Sequence, residues 1–301
     1  MQATIYAIDS IAAGTNQLVI SGGLESMSNA PQLLMTGRKG IRLGHGQTFD
    51  HMFLDGLEDA YTGGAMGSFA QATADAHGLT REAMDQYAIA SLERAKSATE
   101  SGVLQGEITP VTIKTRRGEH TVEHDEQPLK GRPDKIPSLR PAFTKDGTIT
   151  AANSSSISDG ASALLVASAA AVKTHNLQPM AKIVAHSRFS RPPEEFTLAP
   201  VGAIEKLLER TGWNAADVDL WEINEAFAMV TMLAMNAFNL DHDRVNVHGG
   251  ACAQGHPIGS TGSRILVTLA HAMQHYGKQR GIAALCIGGG EATAVAIERV
   301  V

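Results

Sequence analysis

The 301-residue chain has few cysteines, few aromatic residues and no excess of basic charge. Its two cysteines, Cys252 and Cys286, are too few for a disulfide-stabilised fold, so a reducing compartment, the cytoplasm, is expected. The net charge is −6 and no block of basic residues occurs, which argues against binding to nucleic acid or to an anionic membrane surface. No apolar run is long enough to span a bilayer. What remains is an ordinary globular composition, with 43% hydrophobic and 19% charged residues.

A helix followed by a strand and a group of glycines occurs near each end of the chain. Residues 2–13 have apolar side chains at helical spacing and precede a short buried strand at 17–20, which the next glycines are expected to end. Residues 264–275 form a second apolar helix before a strand at 282–287. The pattern indicates an internal duplication, although chance similarity between two α/β units explains it equally well.

The middle of the chain is irregular, whereas its last third alternates regularly. Residues 26–141 are rich in loops and contain a helical pair that is broken at Gly78, with Thr80 as the expected N-cap of the second helix. The apolar residues of this second helix share one face: Met84, Tyr87, Ala88, Leu92 and Ala95. From Met180 onwards strands and helices alternate. Such alternation favours α/β layers.

Short motifs in the last third carry candidate catalytic groups. His256, between Gly255 and Pro257, is placed where a ligand can approach and an imidazole can act as a general base; a structural histidine in a tight turn is the alternative. Cys286 ends an apolar strand before three glycines whose N–H groups suit an oxyanion hole and whose presence favours a lowered thiol pKa; simple packing is the alternative. Asn224 follows a strand and is expected to cap a helix at 225–237.

Three other residues with reactive or metal-binding side chains are interpreted as structural or exposed. Cys252 lies among small residues, so packing is its expected role. His120 and His124 have the spacing of a helical metal pair, but no carboxylate motif accompanies them. We therefore expect both histidines to face solvent and no metal to be bound.

Taken together, these motifs resemble the thiolase family, in particular the acetyl-CoA acetyltransferases. The supporting segments are LVISGGLESMS (18–28), LRPAF (139–143), NEAFA (224–228), GGACAQGHPIG (249–259) and CIGGG (286–290). The resemblance implies an α/β fold, with a duplicated α-β-α-β-α layered architecture, an incomplete first repeat and an inserted loop domain.

The resemblance also implies domain limits. Residues 1–27 and 146–178 correspond to the remainder of the N-terminal thiolase domain, 28–145 to the inserted loop domain, and 179–301 to the C-terminal thiolase domain.

The function implied by this resemblance is thiolysis of a 3-ketoacyl-CoA, or Claisen condensation of acetyl-CoA with an acyl-CoA, as in fatty acid metabolism and β-oxidation. Cys286 resembles the acid/base that handles the α-proton. His256 resembles the group that activates the nucleophile and holds a thioester oxygen, and Asn224 the residue that fixes a water in the same oxyanion hole. Gly288 resembles the N–H donor of a second oxyanion hole.

Five further residues resemble those that bind the substrate in the family. Ser155 would touch the pantetheine arm and Met66 would lie near it, while Phe143, Ala226 and Phe227 would line the tunnel. Core packing is the alternative for Met66, Phe143 and Phe227. No resident cofactor is implied, because the coenzyme A thioesters are substrates. A homodimer or homotetramer is expected.

The chain departs from the family pattern at the nucleophile. The family nucleophile lies in a Cys-x-Ser-Gly motif at the start of the helix that here begins near Met1, and the 301 residues contain no such motif. We therefore expect the chain alone to form no acyl-enzyme and to be inactive. With one sheet incomplete, we also expect it to be poorly soluble or to depend on a partner. A non-catalytic acyl-CoA-binding or assembly module with this fold is the alternative. A ketoacyl synthase is disfavoured by the Cys286-x-Gly motif. The sequence fixes neither the acyl chain length nor the direction of the reaction.

Overall fold

The computed structural model of the protein describes residues 1–300. The α-helices are α1 (Gln2–Ala12), α2 (Met66–Ala76), α3 (Arg81–Glu100), α4 (Glu126–Lys130), α5 (Ala169–Thr174), α6 (Ala199–Thr211), α7 (Ala228–Phe238), α8 (Ala251–Gln254) and α9 (Ile258–His275). The strands are β1 (Leu18–Ser26), β2 (Gln32–Leu34), β3 (Thr48–Asp50), β4 (Val111–Thr115), β5 (Gly118–Val122), β6 (Asp159–Ala167), β7 (Ala181–Ser190), β8 (Leu220–Ile223), β9 (Arg280–Ile287) and β10 (Glu291–Arg299).

A four-stranded sheet with the order β7-β10-β9-β8 forms the centre of the C-terminal half. β8 runs parallel to β9, and the other pairs are antiparallel. Successive side chains of a strand point to opposite faces. Accordingly, Ile282 and Ala284 pack in the core with α6, whereas Ala283 and Leu285 pack with α9. Because helices cover both faces of the sheet, β9 has a nearly continuous apolar sequence.

The N-terminal half repeats part of this arrangement. α1 is followed by β1, which pairs antiparallel with β6, just as α9 is followed by β9, which pairs antiparallel with β10. Three glycines join β9 to β10, whereas the long irregular region lies between β1 and β6. The layered α/β architecture predicted from the sequence is thereby confirmed, while the exact domain limits stay a prediction.

The glycines near residue 22 do not end β1, so that prediction is wrong. Gly22 and Gly23 lie within the strand. A Cβ atom at Gly22 would collide with the backbone of Ser162 on β6, and one at Gly23 would collide with the carbonyl oxygen of Gly259 on α9. These positions require glycine because two backbones approach closely there, and not because the chain turns.

The inserted region contributes three helices that pack on the C-terminal half, α2, α3 and α4. Thr80 caps α3 as predicted, since its hydroxyl accepts a hydrogen bond from the backbone N–H of Ala83 at 3.1 Å. The predicted apolar face of α3 is buried. A Cβ atom at Gly249, whose φ is +77°, would collide with the backbone of α3 at Ser91. The loop before α8 is therefore held tightly against α3.

One face of the β1–β6 sheet is exposed. Ile20 is 79% exposed and Leu24 is 73% exposed, and these residues share one face of β1. Within residues 1–300 this sheet contains two strands only. In the same part of the chain, no helix combines the length and the apolar character needed to cross a bilayer.

Candidate active site

Asn224 and Cys286 lie at neighbouring strand ends. Ile223, the last residue of β8, is paired with Ala284 of the parallel strand β9, and the backbone N–H of Asn224 donates to the carbonyl oxygen of Ala284 at 3.0 Å. Cys286 follows two residues later on β9. Because the carboxyl ends of parallel strands meet at one edge of a sheet, both side chains lie where α/β proteins commonly bind ligands. Both residues are buried.

The prediction that Asn224 caps the next helix is wrong. α7 begins only at Ala228, and no side chain caps it. The preceding segment is extended and pairs with another loop: Phe227 bridges to Ser154, and the N–H of Ala228 donates to the carbonyl oxygen of Asn153 at 2.8 Å. The Asn224 side chain is thus available for another contact. Its Nδ2 lies 3.3 Å from Nε2 of His256, and its buried Oδ1 has no hydrogen-bond partner among residues 1–300.

His256 is oriented by the first turn of α9. Its Nδ1 lies 2.6 Å from Oγ1 of Thr261, which itself donates to the carbonyl oxygen of Pro257 at 3.0 Å. The threonine hydroxyl has one proton, so it accepts from an Nδ1–H of His256. The lone pair of Nε2 then faces the Asn224 amide, which is a donor at Nδ2. This tautomer leaves Nε2 as the basic atom.

Burial fixes the protonation state of both candidate catalytic groups. Desolvation, helped by the charge of Arg264, lowers the pKa of His256 to about 4, so the imidazole is neutral near pH 7. Desolvation raises the pKa of Cys286 to about 12, so this residue is a thiol. The lowered pKa that the adjacent glycines suggested for Cys286 is therefore not observed, because the side chain is enclosed by apolar neighbours.

Those neighbours include most of the predicted substrate-binding residues. Cys286, Met66, Ala226 and Phe227 belong to one buried apolar cluster. A Cβ atom at Gly288 would lie 3.8 Å from Sδ of Met66, so this glycine borders the same cluster. The strand end of Cys286 is thereby lined by apolar groups and by a glycine backbone.

Phe143 and Ser155 lie at the edge of this cluster. The ring of Phe143 is 38% exposed and packs edge-on against Phe227, with ring centroids 6.1 Å apart. The backbone N–H of Ser155 donates to the carbonyl oxygen of Ala226 at 3.0 Å. Asn224 and His256 thus contact each other, and the other seven residues singled out from the sequence lie in or beside the cluster around Cys286.

Two residues of the site were not found from the sequence. Thr261 holds the imidazole of His256, and its only signal was its position in the first turn of the helix that follows. Glu225 is fully buried beside Asn224. A charged residue inside the apolar stretch 220–230 is the signal that was available, because a carboxylate is almost never fully buried without partners.

The remaining sequence candidates behave as expected for structural or surface residues. Cys252 packs against the apolar cluster, and burial together with the charge of Glu225 holds its thiol pKa well above the usual value. His120 and His124 are exposed. Among residues 1–300 no group of histidine, cysteine and carboxylate side chains has the geometry of a metal site.

Comparisons with known proteins cover nearly the whole chain. The family model described as "Thiolase, N-terminal domain" matches residues 1–170, and "Thiolase, C-terminal domain" matches residues 177–299. The acetyl-CoA acetyltransferase of Schizosaccharomyces pombe is 43% identical over 302 residues, which cover 100% of this chain and 76% of the relative. The crystal structure of the Bacillus anthracis acetyl-CoA acetyltransferase superposes with a TM-score of 0.96 at 40% identity, covering 100% of this chain and 76% of that one. The Acat5 thiolase of Ascaris suum, solved in complex with coenzyme A, gives 0.92 at 40% identity, with 99% and 76% covered.

Proposed function

Because this chain belongs to the thiolase family, we propose that its site performs acyl transfer between coenzyme A thioesters, as in an acetyl-CoA acetyltransferase. The observation that carries the proposal is the contact of Asn224 with the basic Nε2 of His256, at the strand edge where Cys286 lies. Coenzyme A thioesters are the substrates, and no resident cofactor is needed. A homodimer or homotetramer is the proposed assembly.

Cys286 is proposed to transfer the α-proton. In thiolysis, the thiol gives its proton to the α-carbon of the departing acetyl-CoA enolate; in condensation, the thiolate removes that proton from acetyl-CoA. Because the pKa of Cys286 is about 12, its resting form is the protonated thiol, which is the proton donor. The oxyanion hole at Asn224 and His256 is proposed to stabilise the enolate oxygen, which lowers the barrier to both steps, and the N–H of Gly288 is proposed as a donor of a second oxyanion hole.

His256 and Asn224 are proposed to act on the acyl-transfer step as well. The low pKa of His256 keeps Nε2 unprotonated, so it can accept the proton of a nucleophilic thiol. Once protonated, Nε2 becomes a donor that can hold a thioester oxygen. The unpartnered Oδ1 of Asn224 suits a water molecule that would complete the same oxyanion hole.

The apolar cluster beside Cys286 is proposed to hold the acyl chain and the pantetheine arm. Met66, Ala226 and Phe227 would contact the apolar parts of the substrate, since they enclose the strand end. Phe143 and Ser155 lie where the cluster meets solvent, which suits contacts with the arm as it leaves the site.

Neither cysteine of the 301 residues is suited to carry the acyl group. Cys286 has the proton-transfer role above, and the raised pKa of Cys252 beside Glu225 disfavours its thiolate. A polypeptide of these 301 residues alone is therefore proposed to catalyse α-proton transfer without forming an acyl-enzyme.

Deuterium exchange tests this proposal directly. The purified 301-residue chain is incubated with acetyl-CoA in D₂O, and incorporation of deuterium into the acetyl methyl group is followed by mass spectrometry. We expect catalysed exchange that Cys286→Ala abolishes and the matched variant Cys252→Ala retains. No acetoacetyl-CoA thiolysis is expected from the same sample.

Exchange should also accelerate with pH. Because the pKa of Cys286 is about 12, the thiolate fraction increases about tenfold per pH unit below that value. A plateau near pH 8.5, or equal exchange by the Cys286→Ala variant, would refute the assigned role. Tight coenzyme A binding without any exchange would favour the non-catalytic module instead.

A further inference from the structure

Glu225 is an ionisable residue that the proposed chemistry does not use. It is 0% exposed and lies between Asn224 and Ala226. Its Oε1 accepts hydrogen bonds from the hydroxyl of Tyr87 at 2.9 Å and from Nδ2 of Asn246 at 2.8 Å. Its other carboxylate oxygen, Oε2, also accepts two hydrogen bonds.

Oε2 accepts from the hydroxyl of Ser91 at 2.8 Å and from the backbone N–H of Cys252 at 3.0 Å. All four partners of the carboxylate are donors, and an ionised carboxylate is acceptor-only. Within residues 1–300 no Lys or Arg nitrogen forms an ion pair with Glu225. The four hydrogen bonds therefore compensate the burial of the charge by themselves.

The four donors come from different parts of the chain. Tyr87 and Ser91 belong to α3 of the inserted region, whereas Asn246 and Cys252 belong to the segment that leads to His256. Ser91 also accepts from the backbone N–H of Gly250 at 3.0 Å. A single carboxylate thus joins the inserted region to the chain segment that ends at the imidazole.

The same carboxylate is linked to the position of Asn224. Asn224 directly precedes Glu225 in the chain. On the other side of Asn224, Ile223 is held by Asn246, because Oδ1 of Asn246 accepts from the N–H of Ile223 at 2.9 Å. The Asn224 and His256 segments are therefore both attached to the carboxylate of Glu225. Asn224 Nδ2 and His256 Nε2, which lie 3.3 Å apart, thus belong to the two segments that this carboxylate joins.

We propose that Glu225 is a positioning residue for acyl transfer, whose buried carboxylate sets the geometry between Asn224 and His256. This inference rests on the proposed function above. It predicts that an amide at position 225 disturbs the site although it is almost the same size. One carboxylate oxygen would become an NH₂ group facing two donors, so two hydrogen bonds would be lost on that side.

The test compares Glu225→Gln with Glu222→Gln. Glu222 is also buried, lies three residues earlier and forms only a long ion pair with Arg264 at 3.8 Å, so it is a matched control for replacing a buried carboxyl group by an amide. Deuterium exchange into acetyl-CoA gives kcat and KM, and the side-chain ¹⁵N NMR signals of His256 report its environment in the absence of substrate. We expect Glu225→Gln to lower kcat by about 100-fold with little change in KM, since a displacement of about 1 Å has such an effect.

The NMR measurement separates this inference from the proposed function. Shifted or broadened His256 signals in Glu225→Gln, with unchanged signals in Glu222→Gln, are expected even if the wild-type chain shows no exchange. Wild-type signals together with a wild-type rate in a folded Glu225→Gln variant would overturn the proposal. Tyr87→Phe removes one donor only and preserves the ring, so it provides a milder variant if Glu225→Gln does not fold. A smaller change in the same direction is expected from it, and no change in either readout would contradict the proposal.

Discussion

The tautomer of His256 depends on one hydroxyl group, that of Thr261. Thr261 is fully buried, and its Oγ1 is the acceptor for Nδ1–H of His256 at 2.6 Å. Thr261→Val preserves the shape and removes that acceptor. The ring proton of His256 is then more stable on Nε2, because the Asn224 amide can rotate and its Oδ1 can accept a hydrogen bond from Nε2–H. Nε2 would lose its lone pair, and with it the ability to act as a base.

The size of the change follows from the cost of a buried donor without a partner. Leaving such a group unpaired costs about 1–3 kcal/mol, so the tautomer equilibrium should shift by about five- to 150-fold towards Nε2–H. The free energy of unfolding should fall by about 1–2 kcal/mol, because a buried hydrogen bond is lost. In a protein that carries this site together with a nucleophilic cysteine, acyl-transfer activity should fall as the fraction of the Nδ1–H tautomer falls.

Long-range ¹H–¹⁵N NMR spectra of the imidazole measure this equilibrium, because protonated and unprotonated ring nitrogens differ strongly in ¹⁵N shift. The wild-type chain at pH 7 should show a protonated Nδ1 and an unprotonated Nε2, and Thr261→Val should show the reverse. Thr261→Ser retains the hydroxyl and serves as the control. A wild-type chain with Nε2–H, or a Thr261→Val variant that keeps Nδ1–H, would refute the reasoning.

Three other consequences concern stability and association. Thr293 is buried and its hydroxyl has no partner among residues 1–300, so Thr293→Val should raise the free energy of unfolding by about 1 kcal/mol in urea titrations; a decrease would contradict this. Burial raises the pKa of Glu222 to about 8, so the folded chain keeps a proton that the unfolded chain releases above pH 4.5. As pH rises from 4.5 to 8, this residue therefore lowers the free energy of unfolding increasingly. The difference in Tm between Glu222→Gln and wild type should therefore increase across that range, and a constant difference would argue against the raised pKa. Ile20→Lys and Leu24→Lys should reduce self-association of the 301-residue chain in light scattering, since both side chains are exposed on a two-stranded sheet; unchanged association would exclude this face as its cause.

Local patterns in the sequence were sufficient for many of the elements. Thr80 precedes a run with apolar residues on one helical face, and the structure places both the cap and the buried face as predicted. The apolar run at 282–287 is a strand because such a run fits a sheet covered on both faces. These features depend on neighbours within a few residues, and such neighbours are visible in the sequence.

Other features depend on segments far apart in the chain. The sequence pattern at Gly22 and Gly23 predicted a turn. Gly23 is needed instead because the backbone of Gly259, more than 200 positions away, approaches it too closely for a side chain. Asn224 looked like a helix cap, but the pairing of its segment with residues 153–155 delays the helix and turns the amide to His256. No local rule predicts these contacts, because the competing partner is brought in by the fold.

The sequence by itself determined which groups are available: one imidazole between glycine and proline, one carboxamide after a strand, and one thiol before three glycines. The tertiary structure alone decided their protonation states and their mutual orientation. Desolvation makes His256 a neutral base and Cys286 a thiol, and the distant partners of Glu225 and Thr261 fix where the reactive atoms point. Burial and hydrogen bonding are properties of the assembled chain, so they cannot be read from the order of its residues.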